Sequence, residues 1–562
     1  MTDHSVQWGE TQRLLIKNSR IDHPMTLKKG FLPIIIIVLL LGTLSVAAQD
    51  TPANATDWWR DAVFYEVFVR SFYDSDGDGI GDFNGITERL DYLNDGNPDT
   101  ASDLGVTALW LMPMMESPSY HGYDVTNYRA VEPDYGTLED FRRLLDEAHA
   151  RGIRVIIDFP FNHSSSQHPW FTASTNDDPT YRGWYLWEDE NPGFRGPGNQ
   201  VVWHPRNGSF YYALFWDGMP DLNLTNPAVT TEIFSTARYW LEDVGVDGFR
   251  LDGVKHLIED GNVQENTPAT LEWMQVFNDY VTLIQPDAFT VAEVWSNSYF
   301  VKPYIERDTV DVAFEFDLAQ AILQSVGGER AAALNSIQER TMGIYADARF
   351  ATFLTNHDQN RVIDELRGDV EKAKLAATLL LTAPGVPFIY YGEEIGMSGR
   401  KPDERIRTPM QWDATENTVG FTTARPWEPP QSNATEVNVA LQTGDPDSLL
   451  STYRDLIALR AAHPALRRGS WAAVDSPTRQ VYSFVRATDA ETLLVIVNLA
   501  DEAISEYALT FEGDLTGRNQ AQNLSGEETI APLNLTPEGG FMDYQPLTSL
   551  APHSLTIIAL SP

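Results

Sequence analysis

The chain has 562 residues, 43% hydrophobic and 21% charged, enough to bury a sizeable core as two or three domains or as one large barrel with additions. Its 80 acidic residues against 40 basic ones give a formal net charge of -40, a field that repels polyanions and excludes nucleic acid as the expected partner. With no cysteine, disulfides, thiolate metal sites and a cysteine nucleophile are excluded as well.

The N-terminus carries the apolar run FLPIIIIVLLLGTLSVAA (31–48), preceded by Lys28 and Lys29 and followed by polar QDTPANATD. It reads as a secretory signal cut after Ala48, with Met25 an alternative start, so residues 1–48 are expected to be removed and the product secreted. The run is long enough for a retained membrane anchor, but Pro33, Gly42 and the small residues at its end favour cleavage and no lasting membrane association.

Beyond it, apolar strands alternate with amphipathic helices. AVFYEVFVRSF (62–72) predicts a strand, followed at once by DSDGDGIGD (74–82), in which Asp74, Asp76, Asp78 and Asp82 crowd around glycine-permitted turns. Such a loop suits calcium, which takes six to eight oxygen ligands, the alternative being a solvated acidic turn. An EF-hand is disfavoured, because its twelfth position here is Gly85 rather than a bidentate Glu. A helix start over 85–93, a strand over 106–113, a helix over 138–152 and a strand over 153–163 come next. From 162 to 220 the alternation gives way to a Trp-, Gly- and Pro-rich stretch too long for a loop, which reads as an inserted domain. It resumes with a helix over 229–245 and strands over 246–252, 289–295, 310–318, 350–358 and 385–394. Eight strands in a βα order predict a (β/α)8 barrel, built from 49–161 and 221–470. A last helix over 451–469 precedes 471–562, where TLLVIVNLA and SLTIIALSP between polar turns predict a small all-β domain.

Charged residues cluster where these strands end. In GFRLD the strand period of two puts Arg250 and Asp252 on one face, with Phe249 and Leu251 on the other. Glu293 in VAEVW, Asp358 in LTNHD and His163 after DFPF occupy the same kind of position, at the C-terminal end where barrel enzymes carry their chemistry. Singly, each fits a satisfied ion pair as well; repeated over four strands, a site is the better explanation.

With DFPFNH (158–163), MPDLN (219–223), GFRLDGVKH (248–256), EVW (293–295), TNHD (355–358) and GVPFIYYGEE (385–394) in this order, the chain resembles the α-amylase family of glycoside hydrolases. The resemblance implies a (β/α)8 barrel, a domain inserted after the third strand and a C-terminal β-sandwich, acting on α-glucosidic bonds with retention. It makes Asp252 the nucleophile, Glu293 the acid/base and Asp358 the group that grips the sugar's 2- and 3-hydroxyls. Arg250 would keep Asp252 ionised and oriented, His163 and His357 would bind the reacting glucosyl unit, and Tyr123 would stack under it, in the segment that also holds His121. It further implies a structural calcium held by the side chains of Asp74, Asp76, Asp78 and Asp82 with the Ile80 carbonyl, and aligns Asn162 with a second calcium ligand that relatives with MPDLN do not reliably use.

Specificity is less uniform. RTPMQWD (407–413) resembles the glucosidase and trehalose synthase side of the family, where the alternatives are exo-glucosidase, oligo-1,6-glucosidase or glucosyl transfer. Against that, SYHGY (119–123) has Tyr120 where exo-acting relatives place a blocking Asp, Lys255 and His256 resemble the acceptor-side pair of α-amylases, and Gly253 replaces a Val associated with α-1,6 preference. The resemblance therefore implies an endo-acting α-amylase on starch and maltooligosaccharides, and a monomer is expected. A non-enzymatic ectodomain of the transporter heavy-chain type is disfavoured by the intact catalytic set and the missing cysteine.

Overall fold

The computed structural model describes residues 55–562, so the apolar N-terminal run lies outside it. Among the described residues no helix is long and apolar enough to cross a membrane.

Eight strands, β1 (Phe64–Val67), β2 (Ala108–Leu111), β3 (Arg154–Phe159), β4 (Gly248–Leu251), β5 (Phe289–Ala292), β6 (Val312–Phe314), β7 (Phe350–Thr352) and β8 (Val386–Tyr390), close into a barrel in chain order, β8 returning to β1. Every pair is parallel, as βα crossovers require. One residue per period of two faces inward. Phe64, Trp110, Ile156, Val291, Phe314 and Phe388 form the apolar plug, with the Phe64 and Phe388 rings stacked at 4.3 Å. Tyr65, Leu109, Ile157 and Phe249 alternate with them and belong to the separate cluster that includes the helices. Two residues further along the strands the inward set turns polar, with Glu66, Asp158 and Arg250 all buried. The barrel is thus dry below and charged above, the charges lying at its C-terminal mouth.

Close packing here needs one special backbone position. Gly248 sits at φ 151°, and a Cβ there would meet the Phe289 carbonyl oxygen at 1.9 Å, so β4 and β5 approach only because no side chain intervenes.

The helix predicted over 138–152 is Leu138–Ala150, started by a capping box in which Thr137 and Asp140 satisfy each other's backbone N–H. Its Phe141, Leu144, Leu145 and Ala148, at helical spacing, are buried. Other expectations need correction. The strand over 62–72 ends at Val67 and the chain turns helically over Val69–Phe72, whose four residues are all buried, so periodicity could not separate the two. The helix over 85–93 breaks at Arg89 into Phe83–Glu88 and Leu90–Leu93. The last helix splits at His463 into Leu449–Ala462 and Pro464–Arg468, because Pro464 disfavours helical backbone at the residue before it.

Between β3 and β4, helix Pro169–Thr175 and a three-stranded antiparallel sheet (Trp187–Glu188, Ser209–Tyr212, Trp203–Arg206) form the insertion, tied to the barrel mouth by a bridge between His163 and Asp221. At the C-terminus a five-stranded sheet (Ser470–Ala473, Val481–Ala487, Thr492–Asn498, Leu555–Ser561, Gln520–Asn523) and a two-stranded one (Leu509–Phe511, Phe541–Tyr544) share a core that includes Leu494, Ile496, Leu509, Phe541 and Ile558, the expected β-sandwich.

Candidate active site

Arg250 is the hub of the barrel mouth. The β3–β4 register sets Asp158 beside it, and its Nη1 donates to both Asp158 oxygens at 2.9 and 3.0 Å and to Asp252 Oδ1 at 2.6 Å. Its Nη2 lies 2.8 Å from Glu293 Oε2, so Asp252 and Glu293 occupy different nitrogens of one planar guanidinium. The guanidinium carbon lies 5.1 Å from the Trp110 ring centroid. This geometry is rigid: the fork of donors fixes where each carboxylate sits. Gly253, left-handed at φ 52°, turns the chain after Asp252 and donates its N–H to Glu293 Oε2 at 3.2 Å. Burial pushes the Glu293 carboxyl above its usual range, although Arg250 pulls the other way. Asp158 is pushed up to about 7, again by burial against Arg250.

On the far side of the mouth, His357 faces Glu66 through Nδ1 and Tyr123 Oη through Nε2 at 2.7 Å, and Nε2 is 3.3 Å from Asp358 Oδ2. Burial opposes its charge, but the carboxylates of Asp358 and Glu66 push it up to about 10. Burial also opposes the Asp358 charge, yet His357 and then Arg407, whose Nη2 donates to Asp358 Oδ1 at 2.8 Å, hold that carboxyl well below the usual range. Asp358 is therefore an acceptor for hydroxyl donors across the working pH range, whereas Glu293 is the group suited to carry a proton.

The structure brings Asp252, Glu293, Asp358, Arg250, His357 and Tyr123 together. Tyr123 Oη is spent on His357 and, at 3.2 Å, on Asp158, leaving its ring rather than its hydroxyl to a ligand. The other predicted contacts line the periphery. His163 is fully buried, its Nε2 3.2 Å from the Tyr123 carbonyl and its Nδ1 3.1 Å from Asn162 Oδ1, and burial pushes it down to about 4, a neutral positioning group. Asn162 Nδ2 donates to the His256 carbonyl at 2.7 Å, binding the insertion's root to the loop after β4. His256 Nδ1 lies 2.9 Å from the Gln264 carbonyl, and Lys255 donates to the Trp295 carbonyl at 2.9 Å while pairing with Glu265. His121 accepts from the Tyr123 N–H at 3.2 Å. Tyr120 stacks on Trp427, centroids 5.3 Å apart, as an aromatic wall.

Glu66, Asp158 and Arg407 carry much of this network and were not singled out from sequence. The signal was present for the first two: an acid inside an apolar strand, FYEVF and VIIDF, demands a buried partner. Arg407 opens RTPMQWD, but nothing in that stretch marks its guanidinium as the partner of Asp358.

In the acidic loop, side-chain oxygens of Asp74, Asp76 and Asp78 lie within 4.8 Å of one another, a spacing compatible with ligands at 2.3–2.6 Å from one calcium. Asp82, outside that trio, accepts from Ser75 N and Oγ at 2.8 Å and caps the next helix through Gly85 N at 2.7 Å, and Asp74 is engaged in the same way, accepting from Gly77 N and Gly79 N at 2.7 Å. The Ile80 N–H donates to Asp78 Oδ1 at 2.8 Å. Asp74 also accepts from Thr422, and Gly79 accepts from the Trp427 N–H at 2.9 Å, so the loop braces the segment after β8 that supplies Trp427.

Fold and site together define a barrel enzyme that works through paired carboxyl groups. The model of the α-amylase catalytic domain matches residues 66–469, and the chain belongs to the α-amylase family of glycoside hydrolases. It is 40% identical over 449 residues to "Alpha-amylase 3" of Dictyoglomus thermophilum, covering 79% of this chain and 85% of the relative. It is 35% identical to the "Trehalose synthase/amylase TreS" of Mycolicibacterium smegmatis (78% and 82% covered) and 33% identical to an oligo-1,6-glucosidase of Heyndrickxia coagulans (80% and 93%). The crystal structure of an α-amylase from H. orenii superposes with a TM-score of 0.77 at 40% identity, covering 89% of this chain and 99% of that one.

Proposed function

We propose that the protein is a secreted, monomeric, retaining α-amylase that cleaves internal α-1,4-glucosidic bonds of starch and maltooligosaccharides. The observation that carries this is the sharing of one buried guanidinium by Asp252 and Glu293 with Asp358 opposite, since retention needs two carboxyl groups only about 5–5.5 Å apart. Asp252 attacks the anomeric carbon as the glucosidic C–O bond breaks, and Glu293 passes its proton to the leaving oxygen. Water then attacks the glucosyl-Asp252 ester, giving a proton to Glu293 and returning Asp252 as carboxylate. Asp358 and His357 hold the hydroxyls of the reacting sugar while Tyr123 lies under it.

Internal cleavage is supported by Tyr120, whose stack on Trp427 is an open wall where a carboxylate would close the cleft at a chain end. Gly253 supports α-1,4 preference: a Cβ there would come within 3.1 Å of Phe215, so the bare backbone preserves room beside Glu293. A second reading, exo-cleavage or glucosyl transfer, is favoured by RTPMQWD and by the names of the relatives that are glucosidases and trehalose synthases. A maltoheptaoside blocked at its non-reducing end decides between them. Shorter oligosaccharides from it, with little action on maltose, are expected; glucose or trehalose from maltose with the blocked substrate intact would sink the endo reading.

Calcium belongs to the same proposal as a structural ion held by Asp74, Asp76 and Asp78. Slight desolvation and then the charge of Asp78 push the exposed Asp76 carboxyl up, and a cation would relieve that repulsion. Chelation is expected to lower Tm, with calcium restoring it; at 100 times Kd a bound ion contributes about 2.7 kcal/mol. An Asp76→Ala, Asp78→Ala variant whose Tm responds to calcium as the parent does would remove the site from this loop.

A further inference from the structure

The N-terminal end of the barrel, opposite the catalytic mouth, holds a cavity of about 620 Å³ where the barrel meets the C-terminal sheet. Its walls come from segments far apart in the chain: the turn Ala55–Asp61 before β1, the residues before β7, the start of β8, and the step from helix Pro464–Arg468 into strand Ser470–Ala473. They bring three guanidinium groups, Arg60, Arg467 and Arg468, against one carboxylate, Asp347. In a chain whose acids outnumber its bases two to one, the local sign is reversed.

The positive charge is only partly met. Asp61, behind the wall, serves two arginines at once, Arg468 at 2.8 and 2.9 Å and Arg467 at 3.2 Å. Arg60 lies 3.4 Å from Asp57 and donates to the Asp347 carbonyl at 2.8 Å, while Arg467 Nη1 donates to the Ala461 carbonyl. Arg60 Nη2, Arg467 Nη2 and Arg468 Nη1 are left without a hydrogen-bond partner among the described residues. Two further arginines stand behind them, fully buried. Arg460 donates to the Gly385 carbonyl at 2.7 Å and Arg486 to the Gly469 carbonyl at 3.1 Å, both on the cavity wall, and both also cap carbonyls at the end of helix Val370–Thr382. Burial and then the charge of Arg467 push Arg460 down to about 9, and burial and then Arg460 push Arg486 well below the guanidinium range. The group as a whole lacks negative charge.

Buried Trp59 and half-buried Trp471 give the cavity an aromatic wall beside the arginines. Open nitrogens from three guanidinium forks suit an anion with three terminal oxygens better than a two-oxygen carboxylate. The volume, in the ordinary range of ligand sites, leaves room for an organic group next to that anion.

We propose that this cavity binds a phosphate monoester of a small organic molecule, its phosphate on Arg60, Arg467 and Arg468 and its organic part against the indoles. It is a second ligand site, remote from Asp252 and Glu293, and a ligand in it clamps the C-terminal sheet to the barrel.

Titration calorimetry on the full-length protein, in chloride at fixed ionic strength, tests this with phenyl phosphate and inorganic phosphate. One-to-one binding is expected, tighter for phenyl phosphate. Arg60→Gln, and separately Arg468→Gln, whose side chain is 41% exposed, should each weaken it about tenfold, the scale of one lost charge-assisted hydrogen bond, with a cooperative unfolding transition verifying each variant's fold. No saturable heat with either anion overturns the site. Binding that neither substitution weakens overturns it as well, because the anion then sits elsewhere, and phenyl phosphate binding no tighter than inorganic phosphate overturns the assignment of the ligand as an ester.

Discussion

Asp252→Asn is expected to lower turnover of maltooligosaccharides roughly 10⁵-fold, the scale seen when a covalent nucleophile is removed, and Glu293→Gln about 10²–10⁴-fold, the range for a general acid. The two losses separate chemically. An aryl α-glucoside whose phenolate leaves without a proton should bypass Glu293 in the first step, so Glu293→Gln should still release a burst of phenolate and then stall. Asp252→Asn should show no burst. Proton economy gives a second readout. Glu293 must be protonated to act, and burial pushes its pKa above the ordinary 4.5, so kcat/KM falls as pH rises through that raised value. The parent should show this limb with maltooligosaccharides and lose it with the aryl substrate, whose first step needs no proton from Glu293. If the limb persists, another group produces it; His357, pushed up to about 10, would then be the first to replace.

Arg250→Leu is expected to cost about 3–5 kcal/mol of stability as well as activity, because it strips the counter-charge from carboxylates that cannot reach water. Asp158 is 0% exposed and both its oxygens depend on Arg250. The loss should also depend on pH. A carboxyl whose folded pKa is raised binds a proton in the folded state that the unfolded chain has released, so stability falls as pH rises from about 4 through the folded value. For Asp158 that value is about 7 with Arg250 present, and it moves higher without it. Denaturant unfolding at pH 5 and pH 8 should therefore show a larger deficit of Arg250→Leu at pH 8. Equal deficits would mean that Arg250 contributes packing against Trp110 rather than charge. Arg250→Lys should recover only part of the activity, since an ammonium cannot span Asp252 and Glu293 as a planar fork does.

Much of this molecule was determined by local sequence. Eight short apolar strands, with amphipathic helices between them, predict a parallel barrel, because the period of each segment dictates which residues can face a core. The catalytic carboxylates were legible for the same reason: Asp252, Glu293 and Asp358 follow short strands, where polarity is tolerated only at the mouth. Tertiary structure decided what those carboxylates do. Glu66 and Asp158 are ordinary acids in sequence and become the anchors of His357 and Arg250 only when β1 meets the end of β7 and β3 pairs with β4. Arg407, 49 positions from Asp358, holds its charge through a loop whose path no local pattern specifies. Asp82, one acid among four in the loop, caps a helix while its neighbours converge. Periodicity states which way a side chain points; which partner waits there depends on contacts between segments far apart in the chain, and those contacts set both the protonation and the direction of each group at the barrel mouth.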